Sequence, residues 1–207
     1  MRLLELFCGT KSISKVFKAG GWDVFTVDNN PEFKPDLCID IIEMSLNELP
    51  KNIDVIWASP PCNAFSVASI YRHWENKQPK SEGVIIGRAM LYKTLWLINK
   101  IKPRYWFIEN PRGMMRKDNL LIYISNIKGK RDTVTYCQYG DKVQKPTDIW
   151  NNNNNFKPLA MCKPGDSCHE TAKRGEDRGT QNQNRNPIKR AIIPKELAEE
   201  IYKSCIK

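Results

Sequence analysis

The sequence predicts an α/β fold in which a mostly parallel sheet carries helices on both faces. Short apolar runs typical of buried strands alternate with longer runs of helical periodicity. Gly20 and Gly21 close the first helical run before the next strand begins. The chain has 207 residues, 41% of them hydrophobic, which suffices for one sizeable core but not for two generous domains. We therefore expect a single domain over residues 1–207.

The predicted elements are clearest in the first half of the chain and at its end. Residues 3–7 form a short buried strand, followed by a turn and a helix through Ile13, Val16 and Phe17. Further strands are predicted for residues 23–27, 53–58 and 105–108, with a helix over residues 85–101. Helical periodicity returns after Pro194, a residue that favours a helix start.

The amino-acid composition limits which partners and which cellular compartment are expected for the protein. The 33 Lys and Arg against 23 Asp and Glu give a net charge of +10, which favours a polyanionic partner but equally suits a solvated basic surface. Seven irregularly spaced cysteines predict reduced thiols in a cytoplasm. Glu5 interrupts the first apolar run, so we expect a buried strand there rather than a signal peptide or a membrane span.

Reactive side chains collect at the predicted strand ends and in the loops beyond them. Cys8, Asp28, Asp40, Cys62 and Glu109 all fall at such places. Parallel sheets bind ligands beyond the carboxyl ends of their strands, so these residues are expected to share a cleft. A carboxylate at the position of Asp28 can accept hydrogen bonds from ribose hydroxyls, although a surface turn acid is the alternative.

Residues 59–66, SerProProCysAsnAlaPheSer, carry the most informative motif. Two prolines stiffen the loop directly before Cys62 and remove backbone donors, which fixes the direction of the thiol. A thiolate is a strong nucleophile that can attack an electron-poor ring carbon. The alternative is a buried, inert cysteine, which suits a ProProCys turn after an apolar strand less well.

Glu109 begins a GluAsnPro segment directly after an aromatic and apolar strand. A carboxyl group enclosed by such neighbours has a raised pKa and can donate a proton to a ring nitrogen. A capping or turn-forming acid before Pro111 explains this segment equally well on its own.

Together these segments resemble the cytosine-5 DNA methyltransferase family. PheCysGlyThr at 7–10 partly matches the family's PheXGlyXGly turn, ProProCysAsnAlaPheSer at 60–66 matches ProProCysGlnXPheSer, and GluAsnPro at 109–111 matches GluAsnVal. The resemblance covers residues 1–150 and resumes at 193–201, which is similar to the family's closing ProProXLeuAla helix. It implies a Rossmann-like, S-adenosylmethionine-dependent methyltransferase that acts on DNA in a bacterium or a phage-infected host, either within restriction-modification or in another role.

The resemblance also implies roles for individual residues. Cys62 would attack carbon 6 of a cytosine flipped out of the duplex, and Glu109 would protonate its ring nitrogen 3. The residues implied to bind S-adenosylmethionine are Phe7, Gly9, Thr10, Asp28, Asn29, Asp40, Ile41 and Pro60. The candidate substrate-binding residues are Ser66, Asn110, Lys145 and Thr147.

The chain departs from the family pattern in three places. Lys11 or Ser12 replaces the second glycine of the first motif. The family's GlnXArgXArg segment reads GlnLysProThrAsp at 144–148, so Lys142, Lys145 or a later arginine is the candidate to hold the cytosine carbonyl. The stretch before residue 193 is too short for a large target-recognition domain, as in compact phage-type members, which predicts a short or nearly absent recognition sequence.

A small basic insert over residues 151–190 stands in that place. Cys162, Cys168 and His169, with Cys137 upstream, supply the ligand types of a Cys₃His zinc site. A metal would stabilise a segment that has few apolar residues, and unpaired surface thiols are the alternative. Five basic residues of the insert suit contacts to DNA, or equally a disordered loop: Arg174, Arg178, Arg185, Lys189 and Arg190.

Three functions remain open on the sequence. The first is DNA cytosine-5 methylation by a monomeric enzyme with no membrane partner. The second is the same chemistry on RNA, and the third is a catalytically silent nucleic-acid-binding relative. The presence of both Cys62 and Glu109 favours an enzyme over the silent relative.

Overall fold

The computed structural model describes residues 1–76, 78–118, 127–163, 165–170 and 186–207. The strands described there are β1 (Arg2–Leu6), β2 (Asp23–Asp28), β3 (Leu37–Cys38), β4 (Val55–Ala58), β5 (Trp74–Glu75), β6 (Gln78–Pro79), β7 (Tyr105–Pro111), β8 (Lys130–Thr135) and β9 (Pro146–Asn151). The α-helices are α1 (Ser12–Ala19), α2 (Ile70–His73), α3 (Glu82–Ile101), α4 (Pro187–Ala191) and α5 (Lys195–Cys205). No helix in these ranges is long and apolar enough to cross a bilayer.

Seven of the strands form one sheet in the order β3-β2-β1-β4-β7-β9-β8. The first five strands of that order pair in parallel, whereas β9 pairs antiparallel with both β7 and β8. Alternate residues of the central strands enter two cores. Leu4 and Ile56 pack with α3 on one face, and Leu3 and Val55 pack with α1 and α5 on the other. The predicted α/β class, with helices on both faces, is confirmed.

Two predicted elements extend further than their apolar patterns. Helix α3 begins at Glu82 because the Ser81 side chain accepts a hydrogen bond from the Val84 amide and caps it. Strand β7 runs to Pro111 because residues 109–111 pair with β9, so Glu109 lies within a strand rather than in the loop after it. Strands β8 and β9, which the sequence analysis does not predict, supply that pairing.

Helices α1 and α5 pack closely at the end of α1. Tyr202 of α5 donates a hydrogen bond to the Gly20 carbonyl at 3.2 Å, and its ring meets Phe17 edge to face at 5.3 Å between centroids. A Cβ atom on Gly20 would lie 2.4 Å from the Tyr202 ring. A side chain at position 20 would therefore have to displace the Tyr202 ring.

The asparagine run at residues 151–155 joins β9 to the last helix. Asn153 is fully buried, and its side-chain amide donates to the Ser204 carbonyl at 3.2 Å and the Ser204 hydroxyl at 2.9 Å. Its side-chain oxygen accepts from the Asn155 amide at 2.9 Å. The first residues of the predicted insert therefore belong to the core.

Replacing Asn153 with alanine should lower the free energy of unfolding by about 2–4 kcal/mol, because it leaves buried polar partners unpaired. The neighbouring exposed Asn154 provides the matched control, and Asn154→Ala should change the value by less than about 0.5 kcal/mol. Urea denaturation followed by circular dichroism measures both. Equal effects of the two substitutions would contradict this account of the run.

Candidate active site

A cavity of about 950 Å³ opens at the carboxyl ends of β1 and β4. Its wall is built from the turn after β1, the loop after β4, the end of β7, the start of β9 and helix α4. This is the position at which parallel α/β sheets bind ligands. The volume is sufficient for a cofactor and a single nucleobase together.

Cys62 lies on this wall in a tightly turned loop after β4. The Cys62 carbonyl accepts hydrogen bonds from the amides of Phe65 and Ser66, at 2.9 and 2.8 Å. The Met114 amide donates to the Phe65 carbonyl at 2.7 Å, and Gly113 pairs with Ser66. A Cβ atom on Gly113 would lie 2.2 Å from the Phe65 carbonyl oxygen, so glycine is needed for this approach. The half-buried thiol is thus held by its own loop and by the exit of β7.

Glu109 lies on the same wall with its side chain 6% exposed. The Tyr136 hydroxyl donates a hydrogen bond to its Oε1 atom at 3.2 Å. Burial raises the pKa of the carboxyl group, while Lys145 and the hydroxyls of Ser59 and Tyr136 act in the opposite direction. The raised pKa favours the protonated form, as a proton donor requires.

Charged groups of both signs act on the pKa of Cys62. Burial raises the pKa of the Cys62 thiol first, and the charge of Glu109 raises it further. Lys145 and Arg190 oppose this rise, since their positive charges stabilise a thiolate. The second thiol on the cavity wall, Cys8, has a pKa raised to about 12 by burial and by the nearby carboxylates of Asp28 and Glu5.

Lys145, one of the predicted substitutes for the family's arginine, lies on the same cavity wall. It is 9% exposed, and its ammonium group lies 4.3 Å from the centre of the Tyr136 ring. The ammonium group also donates a hydrogen bond to the Arg190 carbonyl at 2.6 Å. Its charge lowers the pKa of both Cys62 and Glu109 against the effect of burial. Among the described residues, Lys145 is therefore the cation whose charge acts on both Cys62 and Glu109.

The turn after β1 keeps the shape of a glycine-rich loop without the second glycine. Phe7, Gly9 and Lys11 have φ angles of 56°, 43° and 57°. Lys11, which replaces the family glycine, therefore adopts the left-handed conformation that glycine favours. Asp28 supports this turn, since its Oδ2 atom accepts from the Gly9 amide at 2.9 Å and its Oδ1 atom accepts from the Asn30 amide at 2.9 Å.

The predicted ligand-binding residues divide into two groups. Those on the cavity wall are Phe7, Gly9, Thr10, Pro60, Ser66 and Lys145. Those outside its described lining are Asp28, Asn29, Asp40, Ile41, Asn110 and Thr147. The last two are fully buried: Asn110 donates to the Pro60 carbonyl at 2.8 Å, and Thr147 donates to the Lys145 carbonyl at 3.2 Å. They hold the segments that carry Pro60 and Lys145.

Sequence reasoning missed Tyr136 and Glu5. Tyr136 reaches Glu109 only through the pairing of β8, β9 and β7, which no local pattern reveals. Glu5 lines the cavity, binds the Ser14 amide at 3.0 Å, and has a pKa raised to about 7 by burial. The position of Glu5 within an otherwise apolar strand was the available signal.

Of the five basic residues in the insert, Lys189 and Arg190 lie in α4, and Arg174, Arg178 and Arg185 lie outside the described residues.

The four predicted metal ligands come together behind the active site. The sulfur atoms of Cys137, Cys162 and Cys168 and a ring nitrogen of His169 all lie within 4.8 Å of one another. Cys137 follows β8, and the other three residues follow β9. The structure therefore forms a four-residue cluster from two segments that are distant in sequence.

Solved structures of methyltransferases share this fold. Schizosaccharomyces pombe Dnmt2 methyltransferase aligns with 77% of this chain and 53% of its own, at a TM-score of 0.54 and 14% identity. Entamoeba histolytica methyltransferase EhMeth aligns with 73% of this chain and 52% of its own, at a TM-score of 0.52 and 17% identity. The chain thus has the Rossmann-like methyltransferase fold, and it spans about half the length of these proteins.

A sequence match identifies the family to which the chain belongs. The family model for C-5 cytosine-specific DNA methylases matches residues 1–138, which include Cys62 and Glu109. The chain belongs to this family, which confirms the resemblance read from its motifs.

Two curated relatives agree with this membership. The "Probable DNA (cytosine-5)-methyltransferase" of Frog virus 3 is 32% identical over 177 residues, covering 81% of this chain and 78% of that protein. The type II methyltransferase M.FnuDI of Fusobacterium nucleatum is 28% identical over 130 residues, covering 58% of this chain and 35% of that protein. The chain is thus similar to a viral protein over most of both lengths and to a bacterial one over about a third of the latter.

Proposed function

We propose that this protein transfers a methyl group from S-adenosylmethionine to carbon 5 of cytosine in DNA through a covalent adduct with Cys62. The observation that carries the proposal is one cavity wall with Cys62, Glu109 and Lys145, on which the Glu109 charge raises the pKa of Cys62 and the Lys145 charge lowers the pKa of both. A nucleophile, a proton donor and a cation are the groups that addition to a cytosine ring requires.

The shape of the turn after β1 and the free acceptor positions beside it support a cofactor site there. Phe7, Gly9 and Thr10 border the cavity beside Pro60, so an elongated ligand fits between the turn and the Cys62 loop. Each carboxylate oxygen of Asp28 accepts one backbone amide, which leaves lone pairs for ribose hydroxyls. The family resemblance implies that Asn29, Asp40 and Ile41, which lie outside the described lining of the cavity, would also hold the cofactor. S-adenosylmethionine, when bound, supplies an electrophilic methyl group.

The chain's own residues then activate the cytosine. The target base must leave the duplex stack to reach Cys62. The thiol loses its proton, and its sulfur forms a bond to carbon 6 while Glu109 donates a proton to nitrogen 3. Carbon 5 becomes nucleophilic and takes the methyl group as the bond from that methyl to the sulfonium sulfur breaks. A base removes the carbon 5 proton, cleavage of the bond between the Cys62 sulfur and carbon 6 restores the aromatic ring, and nitrogen 3 returns its proton to Glu109.

Lys145 supplies positive charge in place of the arginine that the family motif leads one to expect. It favours the Cys62 thiolate, and at the cavity wall it can donate a hydrogen bond to the cytosine carbonyl. The positive net charge of +10 favours DNA phosphates around the cavity. Arg112 and Lys117 lie on the same wall as further cations.

Replacing Lys145 with methionine is expected to lower kcat/KM for DNA methylation by about 10²-fold, because one preorganised donor and its charge are removed. Lys142→Met is the matched control: Lys142 lies in the same turn, its side chain is 83% exposed, and it should change the rate less than about threefold. Transfer of a radiolabelled methyl group to DNA measures both. Equal rates for Lys145→Met and wild type would contradict the role of this lysine.

The function is tested by identifying the product. The protein is incubated with S-adenosylmethionine and equal amounts of duplex DNA, single-stranded DNA or tRNA, and the hydrolysed nucleosides are analysed by mass spectrometry. We expect 5-methylcytosine in duplex DNA and an unchanged RNA. Methylation confined to RNA would overturn the proposed substrate, and no 5-methylcytosine in any of them would overturn the proposed activity.

A further inference from the structure

The cluster of Cys137, Cys162, Cys168 and His169 has the spacing of a tetrahedral metal site. Its sulfur atoms are 3.2 Å apart between Cys137 and Cys162 and 3.5 Å apart between Cys137 and Cys168. The His169 Nδ1 atom lies 3.5 Å from the Cys168 sulfur and 3.8 Å from the Cys162 sulfur. Zinc bonds of about 2.3 Å to sulfur separate tetrahedral ligand atoms by roughly 3.8 Å. The four separations given, 3.2–3.8 Å, lie at or somewhat below this value, so the four atoms are close enough to share one ion.

The surroundings of the sulfur atoms suit thiolate ligands. The side-chain amide of Gln144 donates to the Cys162 sulfur at 3.1 Å, and that of Gln138 donates to the Cys168 sulfur at 3.4 Å. Such donors stabilise the negative charge of metal-bound thiolates and orient them. Three sulfurs and one imidazole favour zinc over the hard cations, which prefer oxygen. The shortest sulfur separation, 3.2 Å, is well beyond a disulfide bond of about 2.05 Å.

The cluster joins the turn after β8 to a segment, residues 157–170, whose described part buries few side chains. In the described part of residues 157–170, Cys162 is the buried side chain, and Leu159 is 49% exposed. Hydrogen bonds attach this segment to the end of β8 and to the turn after it: the Cys162 amide donates to the Thr135 hydroxyl at 3.0 Å, and the Glu170 amide donates to the Lys142 carbonyl at 2.9 Å. A metal ion would add the cross-link that apolar packing does not supply.

The same turn carries active-site residues next to the cluster residues. Cys137 directly follows Tyr136, whose hydroxyl binds Glu109, and Gln144 directly precedes Lys145. The Tyr136 amide donates a hydrogen bond to the Gln144 carbonyl at 2.9 Å, which closes the turn that carries both the cluster residues and the active-site residues. Fixing the sulfur atoms therefore also fixes the backbone that places Tyr136 against Glu109 and Lys145 on the cavity.

We propose that Cys137, Cys162, Cys168 and His169 bind one structural Zn²⁺ ion, and that this ion holds the turn at residues 136–145 against the active site. Binding releases the thiol protons, and the neutral imidazole completes a Cys₃His site. The link to catalysis rests on the proposed function, whereas the zinc site does not.

Metal content tests the site directly. The full chain, purified with a thiol reductant and without chelator, is analysed by inductively coupled plasma mass spectrometry, and we expect about one zinc per chain. Cys168→Ser removes a proposed ligand and should weaken zinc binding by about 100-fold or more. Loss of a residue that only supports a metal ligand typically weakens binding by roughly 10- to 100-fold. Cys38→Ser is the matched control, since Cys38 is an exposed thiol outside the cluster and should leave the zinc content unchanged.

Cobalt(II) provides a readout that does not depend on the variant folding. Added to the metal-free wild type, Co²⁺ should give the intense absorption of tetrahedral thiolate coordination and be displaced by Zn²⁺. The site would be overturned if the purified protein held no zinc and the metal-free protein took up neither Zn²⁺ nor Co²⁺. A disulfide among the cluster cysteines in the protein as purified with reductant, seen as an intact mass lower by two hydrogen atoms, would also overturn it.

The link to catalysis is tested by removing zinc from the wild type and measuring methyl transfer. We expect the rate of methyl transfer to fall at least about tenfold and to recover when Zn²⁺ is added back. Tenfold is roughly the smallest loss of activity seen when a residue that supports a metal ligand is removed. Unchanged transfer by zinc-free protein would overturn the link while leaving the site. Full zinc content without any methyl transfer would instead count against the proposed function.

Discussion

Replacing Cys62 with alanine is expected to lower methyl transfer to DNA by roughly 10³-fold or more, because covalent addition to carbon 6 has no substitute when the nucleophile is lost. Cys8 also reaches the cavity, but its pKa of about 12 keeps it a thiol at neutral pH. We therefore expect no rescue by the second thiol. Single-turnover transfer of a radiolabelled methyl group gives the rate without interference from product release.

Cys38→Ala is the control for this substitution. Cys38 is an exposed free thiol at the edge strand β3, and its removal should leave the transfer rate within about twofold of wild type. Both variants should retain the circular dichroism spectrum of the wild type, since neither side chain belongs to the buried core. Substantial methylation by Cys62→Ala would refute the nucleophile.

Replacing Glu109 with glutamine is expected to lower the transfer rate by about 10²–10³-fold, because the amide cannot donate the carboxyl proton to the base. The substitution keeps the size of the side chain and an oxygen that can accept the Tyr136 hydroxyl. Burial raises the pKa of Glu109, so the wild-type rate should fall as pH rises through that pKa and the proton is lost. The glutamine variant should lack this decline.

Stability separates a catalytic from a structural role for Glu109. A carboxyl whose folded pKa is raised contributes stability below its unfolded pKa and loses it as pH rises through the folded pKa. Glu109→Gln should therefore be at least as stable as wild type at alkaline pH. Glu43→Gln, at an exposed acid, should leave both rate and stability unchanged. A glutamine variant that is inactive only because it unfolds would contradict the assigned role.

Local patterns are sufficient for the parallel half of the sheet but not for its antiparallel end. Strand β4 is apolar throughout, β1 is apolar apart from Arg2 and Glu5, and each is followed by a turn or proline that marks its end. Strand β9 instead buries Thr147, Asp148 and Asn151 completely. Arg116 compensates the Asp148 charge with a bond of 2.9 Å from its Nε atom, and this partner lies 32 residues away. Such a strand cannot be recognised from hydrophobicity.

The same distinction applies to the active site. Cys62 and Glu109 stand in short motifs whose residue types point to their chemistry, so sequence identifies them. Tyr136 and the buried position of Lys145 depend on the register between β7, β9 and β8, which is a property of the folded chain. The four cluster residues were suggested by ligand type, but their meeting point depends on how residues 157–170 return to the turn after β8.

The most direct test of the account is covalent trapping on a DNA duplex that contains 5-fluorocytosine. Fluorine at carbon 5 blocks the final proton removal, so the bond between the Cys62 sulfur and carbon 6 persists after methyl transfer. In the presence of S-adenosylmethionine, wild type and Cys38→Ala should form a shifted band on a denaturing gel, and Cys62→Ala should form none. An adduct that persists in Cys62→Ala, or no adduct with the wild type on duplex DNA, would contradict the central claim.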